Sequence, residues 1–235
     1  MRLDSSAEVR AGASHQARGD LALRRVQFAF GAARPVLGPV DLSIPAGSRL
    51  ALVGPSGSGK STLLQVLAGI QQPTAGSVEF AGAPFGSLDQ DARARIRLAR
   101  FGLVFQFAEL VPELDLAENV ELPLRILGRR VERARIAELL DRLGIARVAK
   151  RVPSQVSGGE RQRAAIARAM VHDPAVVLAD EPTGALDGEN GRAVLALLLE
   201  CSNEAGATLV VVTHDQSVAD RLDRVVELRD GRVVA

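Results

Sequence analysis

The stretch GPSGSGKST, residues 54–62, contains the residue types that bind phosphate groups. Its first eight residues fit the pattern G-x-x-x-x-G-K-[S/T], in which glycines let successive backbone N–H groups turn toward an anion. Lys60 would neutralise phosphate oxygens, and the Ser61 hydroxyl would bind Mg²⁺. The apolar run before this loop predicts a buried strand. The spacing after it predicts a helix, whose positive end would face the phosphates. The stretch therefore predicts a site for a nucleoside triphosphate.

Two adjacent carboxylates, Asp180 and Glu181, follow the buried strand predicted over AVVLA, residues 175–179. Because side chains alternate along a strand, the two should point in different directions and have different tasks. Asp180 suits a second metal ligand, and Glu181 suits polarising an attacking water. An acidic turn after a strand is common, so the functional interpretation depends on the phosphate loop upstream.

Two more polar side chains follow predicted strands. His214 comes after TLVVVT at 208–213, and Gln106 ends FGLVFQ at 101–106. In a parallel sheet, ligands bind at the carboxyl ends of the strands, so these residues should lie near the phosphate loop. The imidazole could hold the γ-phosphate or the attacking water, and the amide could reach Mg²⁺ or water. Either residue alone is more often structural.

The stretch VSGGE, residues 156–160, combines a capping box with two glycines. Ser157 and Glu160 have the spacing with which a hydroxyl and a carboxylate satisfy the free N–H groups of a helix's first turn. Capping does not explain Gly158 and Gly159, because a glycine inside a helix costs about 1 kcal/mol relative to alanine. The glycines indicate that something approaches the bare backbone there.

The elements that must position these residues define an α/β fold. Residues 21–30 and 40–44 alternate apolar with polar positions, which predicts antiparallel strands with one wet face, and 77–85 predicts a hairpin. Helical spacing dominates from 107 to 153. From 158 onward strands and helices alternate, which predicts a parallel sheet covered by helices.

The predicted architecture is a P-loop NTPase core with a mainly parallel sheet, an antiparallel β subdomain and an inserted helical subdomain at about 107–165. Residues 1–20 are expected to be a flexible N-terminal tail, and 21–235 to form the catalytic domain. The tail lacks the apolar segment of a secretory signal.

Composition excludes several classes of function. A formal charge of +1 and the absence of Trp and Tyr give no general affinity for nucleic acid, so none is expected as a partner. The single cysteine, Cys201, excludes an intrachain disulfide and favours the cytoplasm. No apolar run approaches the roughly 20 residues that span a bilayer. If the protein works at a membrane, another chain should supply the span.

Taken in order, these motifs resemble those of the ATP-binding cassette (ABC) ATPases, and the resemblance extends from about Leu21 to the C-terminus. The matching features are the phosphate loop, the Q-loop Gln106, the signature VSGGE, the Walker B pair Asp180 and Glu181, the D-loop Asp187 and the switch His214. The resemblance implies ATP hydrolysis with Glu181, His214 and Lys60 as catalytic residues. It implies Mg²⁺ bound by Ser61, Gln106 and Asp180. The ATP-binding residues that it implies are Phe30, Gly54, Pro55, Ser56, Gly57, Ser58, Gly59, Lys60, Ser61, Thr62 and Gln106.

In the family the signature acts in trans, and this implies a use for the two glycines. Two cassettes pack head to tail, so residues 157–160 (Ser157, Gly158, Gly159 and Glu160) would close over ATP held by a second subunit, here expected to be a second copy. Val156 and Glu160 stand where the family usually has leucine and glutamine. Phe30 stands where a tyrosine usually stacks on adenine, and the alternative is that Phe28 or Phe30 belongs to the core.

Residues 105–124 and 160–187 are similar to one branch of the family, the lipoprotein-release, macrolide-export and antimicrobial-peptide-resistance ATPases. This implies a cytoplasmic subunit, peripheral on the inner face of the cell membrane, that drives a separate permease of the export type. The segment 107–121 would contact that permease, with Leu110 and Leu114 at the contact. The alternatives are an importer ATPase for a small solute, a soluble ABC ATPase acting in DNA repair or on ribosomes, and a small-molecule kinase.

Overall fold

Within residues 19–31 and 35–234, which the computed structural model describes, the chain forms two β-sheets. The six-stranded sheet contains β3 (Arg49–Val53), β6 (Phe101–Val104), β7 (Val176–Asp180), β8 (Thr208–Val212), β9 (Arg224–Arg229) and β10 (Arg232–Val234), in the order β10-β9-β3-β8-β7-β6. The four-stranded sheet contains β1 (Leu21–Phe28), β2 (Leu37–Ile44), β4 (Ala75–Phe80) and β5 (Ala83–Pro84), in the order β2-β1-β4-β5.

Helices follow most strands of the larger sheet. They are α1 (Lys60–Leu67), α2 (Gln90–Arg100), α3 (Leu116–Ile126), α4 (Arg133–Arg142), α5 (Gly158–Met170), α6 (Gly188–Glu204) and the short α7 (Gln216–Ala219). Two 3₁₀ turns, Ala146–Val148 and Pro153–Gln155, join α4 to α5. None of the helices in the described ranges is both long and apolar enough to cross a membrane.

The strands β3, β6, β7, β8 and β9 are parallel, and β10 pairs antiparallel with β9 at one edge. The strands β1, β2, β4 and β5 pair antiparallel throughout. The predicted α/β class, with a mainly parallel sheet and an antiparallel β subdomain, is therefore confirmed. Val212 of β8 is in register with Leu52 on one side and Asp180 on the other, so these strands end at the same edge.

The larger sheet separates two cores. On one face Val177 and Ala179 join a cluster with the helices α3, α4, α5 and α6. On the other face Val176 and Leu178 join a cluster with α1 and the antiparallel sheet. All four side chains are completely buried, which explains why β7 reads as one continuous apolar run. The strand can therefore hold the residues after it, Asp180 and Glu181, in a fixed position.

The start of the folded domain and one helix differ from the expectation. Of the predicted tail, residues 1–18 lie outside the described part of the chain. Gly19 and Asp20 belong to the folded domain: the Gly19 carbonyl accepts from Thr208 Oγ1 at 2.8 Å, and the Asp20 carbonyl from the Ala81 N–H at 3.0 Å. The helix α2 was not predicted, because its sequence QDARARIRLAR has too few apolar residues to mark a buried stripe.

Candidate active site

The phosphate loop joins β3 to α1 in a conformation that requires glycine. Gly54 has φ +148°, and a Cβ there would lie 2.1 Å from the Leu228 carbonyl oxygen. Gly59, at φ +99°, directly precedes the helix. The loop closes around the buried Lys60, whose Nζ donates to the carbonyls of Gly54 at 2.8 Å and Pro55 at 3.0 Å. The ammonium group is therefore fixed at the start of α1, where the helix dipole also favours anions.

A cleft of about 560 Å³ opens over this loop, within the size range of small-molecule sites. It brings together residues that lie far apart in the sequence: Val36, Ser56, Gly57, Gly59, Lys60, Ser61, Thr62, Glu181, Val212 and His214. Of the predicted ATP-binding set, Pro55 contributes its carbonyl to Lys60. Ser58 is buried, and its hydroxyl has no hydrogen-bond partner in the described part of the chain. Val36 and Val212 are ordinary apolar residues, and no sequence pattern marks them as part of a site.

Ser61 and Asp180 form the candidate metal site. Ser61 Oγ donates to Asp180 Oδ1 at 3.2 Å. Burial raises the pKa of Asp180, and the nearby Glu181 carboxylate raises it further. A cation would relieve this unfavourable burial of charge. The two oxygens suit Mg²⁺, which needs few protein ligands because phosphates and waters complete its coordination. Within the described residues, no three His, Cys, Asp or Glu side chains form a larger metal cluster.

Glu181 adopts a backbone conformation that is unusual for a residue with a side chain. Its φ of +48° lies in the left-handed region, which costs of order 1–3 kcal/mol at a non-glycine position. Two backbone hydrogen bonds hold it there: its N–H donates to the Val212 carbonyl, and its carbonyl accepts from the Gly184 N–H, both at 3.0 Å. Such strain clusters at functional sites.

His214 contacts the Glu181 carboxylate, with Nδ1 2.7 Å from Oε1. Asp180 pairs instead with Ser61, so the two adjacent carboxylates have different partners. The His214 side chain is largely exposed, whereas that of Glu181 is mostly covered. The arrangement gives Glu181 a fixed carboxylate that faces the cleft, and it leaves one nitrogen of the His214 ring free to bind a ligand.

Gln106 lies beside the group formed by Ser61, Asp180, Glu181 and His214. It follows β6 and packs over the turn after β7, where a Cβ on Gly184 would come within 3.0 Å of Gln106 Nε2. It is not among the residues that line the cleft. Gln106 therefore approaches the Glu181 turn from the side of β6.

The structure separates the two aromatic candidates. Phe28 is buried, whereas Phe30 is 54% exposed, and their rings meet edge to face at 4.8 Å between centroids. The Val36 N–H donates to the Phe28 carbonyl, which brings this hairpin beside the cleft. Phe28 is therefore the core residue, and Phe30 is free to stack on a base.

We expect Phe30→Ala to weaken ATP binding by about 1–3 kcal/mol, the usual value of one base–aromatic stack, with little change in melting temperature. Phe28→Ala is the matched control, because removing a buried phenylalanine typically costs about 3–5 kcal/mol of stability. Calorimetric titration with ATP and thermal unfolding measure the two effects. Unchanged affinity in Phe30→Ala would show that this ring does not contact the base.

The signature forms the predicted capping box at the start of α5. The Glu160 N–H donates to Ser157 Oγ at 3.2 Å, and the Ser157 N–H donates to Glu160 Oε2 at 2.8 Å. These bonds to Ser157 lower the pKa of the Glu160 carboxyl. None of residues 157–160 lines the cleft of their own chain.

The two signature glycines are not required by the fold. A Cβ on Gly158 would lie 3.4 Å from Leu186, and one on Gly159 would lie 3.6 Å from Asn190. These are ordinary contact distances, and neither residue has positive φ. Asp187 caps α6 by accepting from the Asn190 N–H at 2.9 Å. Because Leu186 and Asn190 are the neighbours of the two glycines, the predicted D-loop lies beside the signature.

A phosphate loop between a parallel strand and a helix, with carboxylates on a nearby strand of the same sheet, defines a P-loop nucleoside-triphosphatase. Sequence comparison gives the family: the profile described as "ABC transporter" matches residues 37–184. The chain belongs to the ABC transporter family and is an ATPase.

Named relatives and solved structures agree with this assignment. The chain is 45% identical over 202 residues to the lipoprotein-releasing system ATP-binding protein LolD of Legionella pneumophila (strain Lens), covering 85% of this chain and 89% of that protein. It is 47% identical over 228 residues to the macrolide export ATP-binding/permease protein MacB of Rhodopseudomonas palustris, covering 96% of this chain but 34% of that longer protein. A dimeric post-hydrolysis structure of the ATP-binding cassette MJ0796 bound to ADP and Pi superposes with a TM-score of 0.84 at 39% identity, covering 92% and 97% of the two chains.

Proposed function

We propose that two copies of this chain bind two ATP molecules with Mg²⁺ between them, and that hydrolysis drives a separate membrane permease of the export type. One observation supports a site that is shared between two chains. The signature has an exposed capping serine and two glycines that its own fold does not need, and it lies away from the cleft of its own chain. A ligand held by a second chain gives these residues a purpose. The dimeric form of the MJ0796 cassette supports this arrangement.

In this proposal each residue of the cleft has its own role. Lys60 would exchange its carbonyl partners for phosphate oxygens, and Ser61 with Asp180 would hold Mg²⁺, which neutralises phosphate charge when bound. Glu181 would accept the proton of the attacking water. His214, bonded to Glu181, would orient that carboxylate. Ser157 and the first-turn N–H groups of α5 from the other chain would complete the γ-phosphate site.

The direction of transport is inferred from the relatives. The names of the LolD and MacB proteins include lipoprotein release and macrolide export, and LolD is matched over most of its length. We infer that this chain likewise serves a system that extrudes a hydrophobic or amphipathic cargo, as a peripheral subunit on the cytoplasmic side of its membrane. The cargo itself would be recognised by the permease.

The proposed permease contact lies around the segment after Gln106. A groove of about 400 Å³ runs between α2, β6, α3 and α5. Phe105 lines this groove. Two residues further along the chain Phe107 is 74% exposed, and Leu114 is half-buried. Leu110 is also half-buried, but part of its side chain already packs against the large core cluster. Phe107 and Leu114 are therefore the better candidates for direct contact.

The test is affinity purification of the Glu181→Gln chain from detergent-solubilised membranes with ATP and Mg²⁺. We expect a permease of few spans with a large extracytoplasmic domain. Adding Leu114→Asp should abolish its recovery without affecting ATP binding, and Glu113→Asp serves as a neighbouring conservative control. Recovery of a many-span permease with a solute-binding protein would indicate import. Recovery of only soluble proteins or nucleic acid would overturn the transport proposal.

A further inference from the structure

Two side chains of α5 fasten the segment around Gln106, residues 105–109. The buried Gln162 donates from Nε2 to the Phe105 carbonyl at 2.8 Å. Arg168 donates from Nη1 to the Glu109 carbonyl at 2.7 Å and from Nη2 to the Ala108 carbonyl at 2.9 Å. Three hydrogen bonds from one helix therefore hold the backbone on both sides of Gln106.

The segment needs external support because its backbone is irregular. Ala108 and Glu109 both have positive φ, +62° and +46°, although neither is glycine. Within the segment the Ala108 N–H bonds to Phe105 and the Glu109 N–H to Phe107, which makes consecutive tight turns. Left-handed non-glycine residues persist only where the surroundings hold them. The guanidinium of Arg168 supplies that hold at both carbonyls.

The same helix begins with the signature. Ser157 caps α5 and Arg168 lies eleven residues further on, about 16 Å along a helix that rises 1.5 Å per residue. In its first turn the Arg161 side chain donates to the carbonyls of Pro153 and Val156, and residues 164–167 in its middle are fully buried in the core. Because α5 is one continuous helix, a rigid-body displacement that moves Ser157 would also move the Gln162 and Arg168 side chains and pull on their carbonyl partners.

We propose that Gln162 and Arg168 are positioning residues that transmit closure of the signature on the partner's ATP to the Gln106 segment and Phe107 of the same chain. The inference rests on the proposed shared site. Gln106 also lies beside the turn that carries Glu181 of its own cleft. Nucleotide bound in that cleft would therefore act on the same segment. The segment would respond to the ATP of both chains.

The chain contains no tryptophan or tyrosine, so Phe107→Trp provides a single fluorescent reporter in this segment. In a Ser157→Arg background, ATP should bind without closing the dimer. Any change in tryptophan emission then reports ATP bound in the chain's own cleft. In a Glu181→Gln background, ATP should close the dimer, and we expect an additional change. Light scattering measures dimer formation in each sample.

Arg168→Met and Gln162→Leu in the reporter should each reduce the additional change at least twofold, and the double variant should abolish it. Dimer formation and the response to the chain's own nucleotide should persist. Arg168→Lys should restore part of the change. Arg163→Met is the matched control on the same helix, because Arg163 does not bond to the segment.

The possible outcomes distinguish a failure of this inference from a failure of the proposed function. Absence of an ATP-dependent dimer in the Glu181→Gln reporter would overturn the shared site. A normal dimer whose additional change survives both substitutions would overturn the coupling through α5. Loss of the own-nucleotide response together with the additional change would show that the two side chains only stabilise the fold, which also overturns the inference.

Discussion

Glu181→Gln is expected to lower ATP turnover by about 10²–10⁴-fold, the contribution typical of a positioned general base. The amide matches the carboxylate in shape and can still bond to His214, but it cannot accept a proton from water. In the proposed site ATP is bound by Lys60 and the phosphate loop, so the affinity should be retained. The ATP-bound dimer should therefore accumulate.

Steady-state kinetics and light scattering with ATP and Mg²⁺ measure both effects. Glu227→Gln is a suitable control, because Glu227 lies on β9 of the same sheet and pairs with Arg229 on the surface. It should leave turnover unchanged. Full turnover in Glu181→Gln would show that another group accepts the proton. The strained backbone of Glu181 would then need a different explanation.

The regular parts of the fold could be predicted because they depend on local patterns. The continuous apolar runs of β3, β7 and β8 indicate strands buried on both faces, and the structure places them side by side. The spacing of Ser157 and Glu160 predicts a capping box that is present at hydrogen-bond distance. Each signal lies within a few residues of the feature that it predicts.

The parts that could not be predicted depend on distant contacts. Gln162 and Arg168 reach carbonyls 57 to 60 residues away, and nothing in their own neighbourhood shows this. The left-handed conformation of Glu181 is held by a carbonyl of another strand, Val212. The sequence showed which residue types were available for chemistry. Only the fold shows which backbone groups hold them.

The glycines illustrate two physical reasons for one residue type. At Gly54 the fold itself excludes a side chain, because the Leu228 carbonyl occupies the position of a Cβ. At Gly158 there is room for a Cβ and the backbone is helical. Substitution by alanine should therefore destabilise the chain at Gly54 but not at Gly158. A single methyl group at Gly158 can thus test whether a ligand approaches the signature without unfolding the chain.

Gly158→Ala should preserve or raise the stability of the chain by up to about 1 kcal/mol, since alanine is the better helix former. ATP turnover should nevertheless fall about ten- to 100-fold, because the methyl group would keep the phosphate from the first-turn N–H groups. A hydrogen bond to a charged group is worth about 1.5–3 kcal/mol. Thermal unfolding and the ATPase rate, measured on the same preparation, give both numbers.

Gly191→Ala is the matched control, since Gly191 is also helical, has similar room for a Cβ at 3.5 Å from Thr183, and lies outside the signature. It should gain stability and keep its turnover. Gly54→Ala should lose both. If Gly158→Ala were as active as Gly191→Ala, no ligand would approach the backbone of the signature, and the second chain would have to complete the site through Ser157 alone.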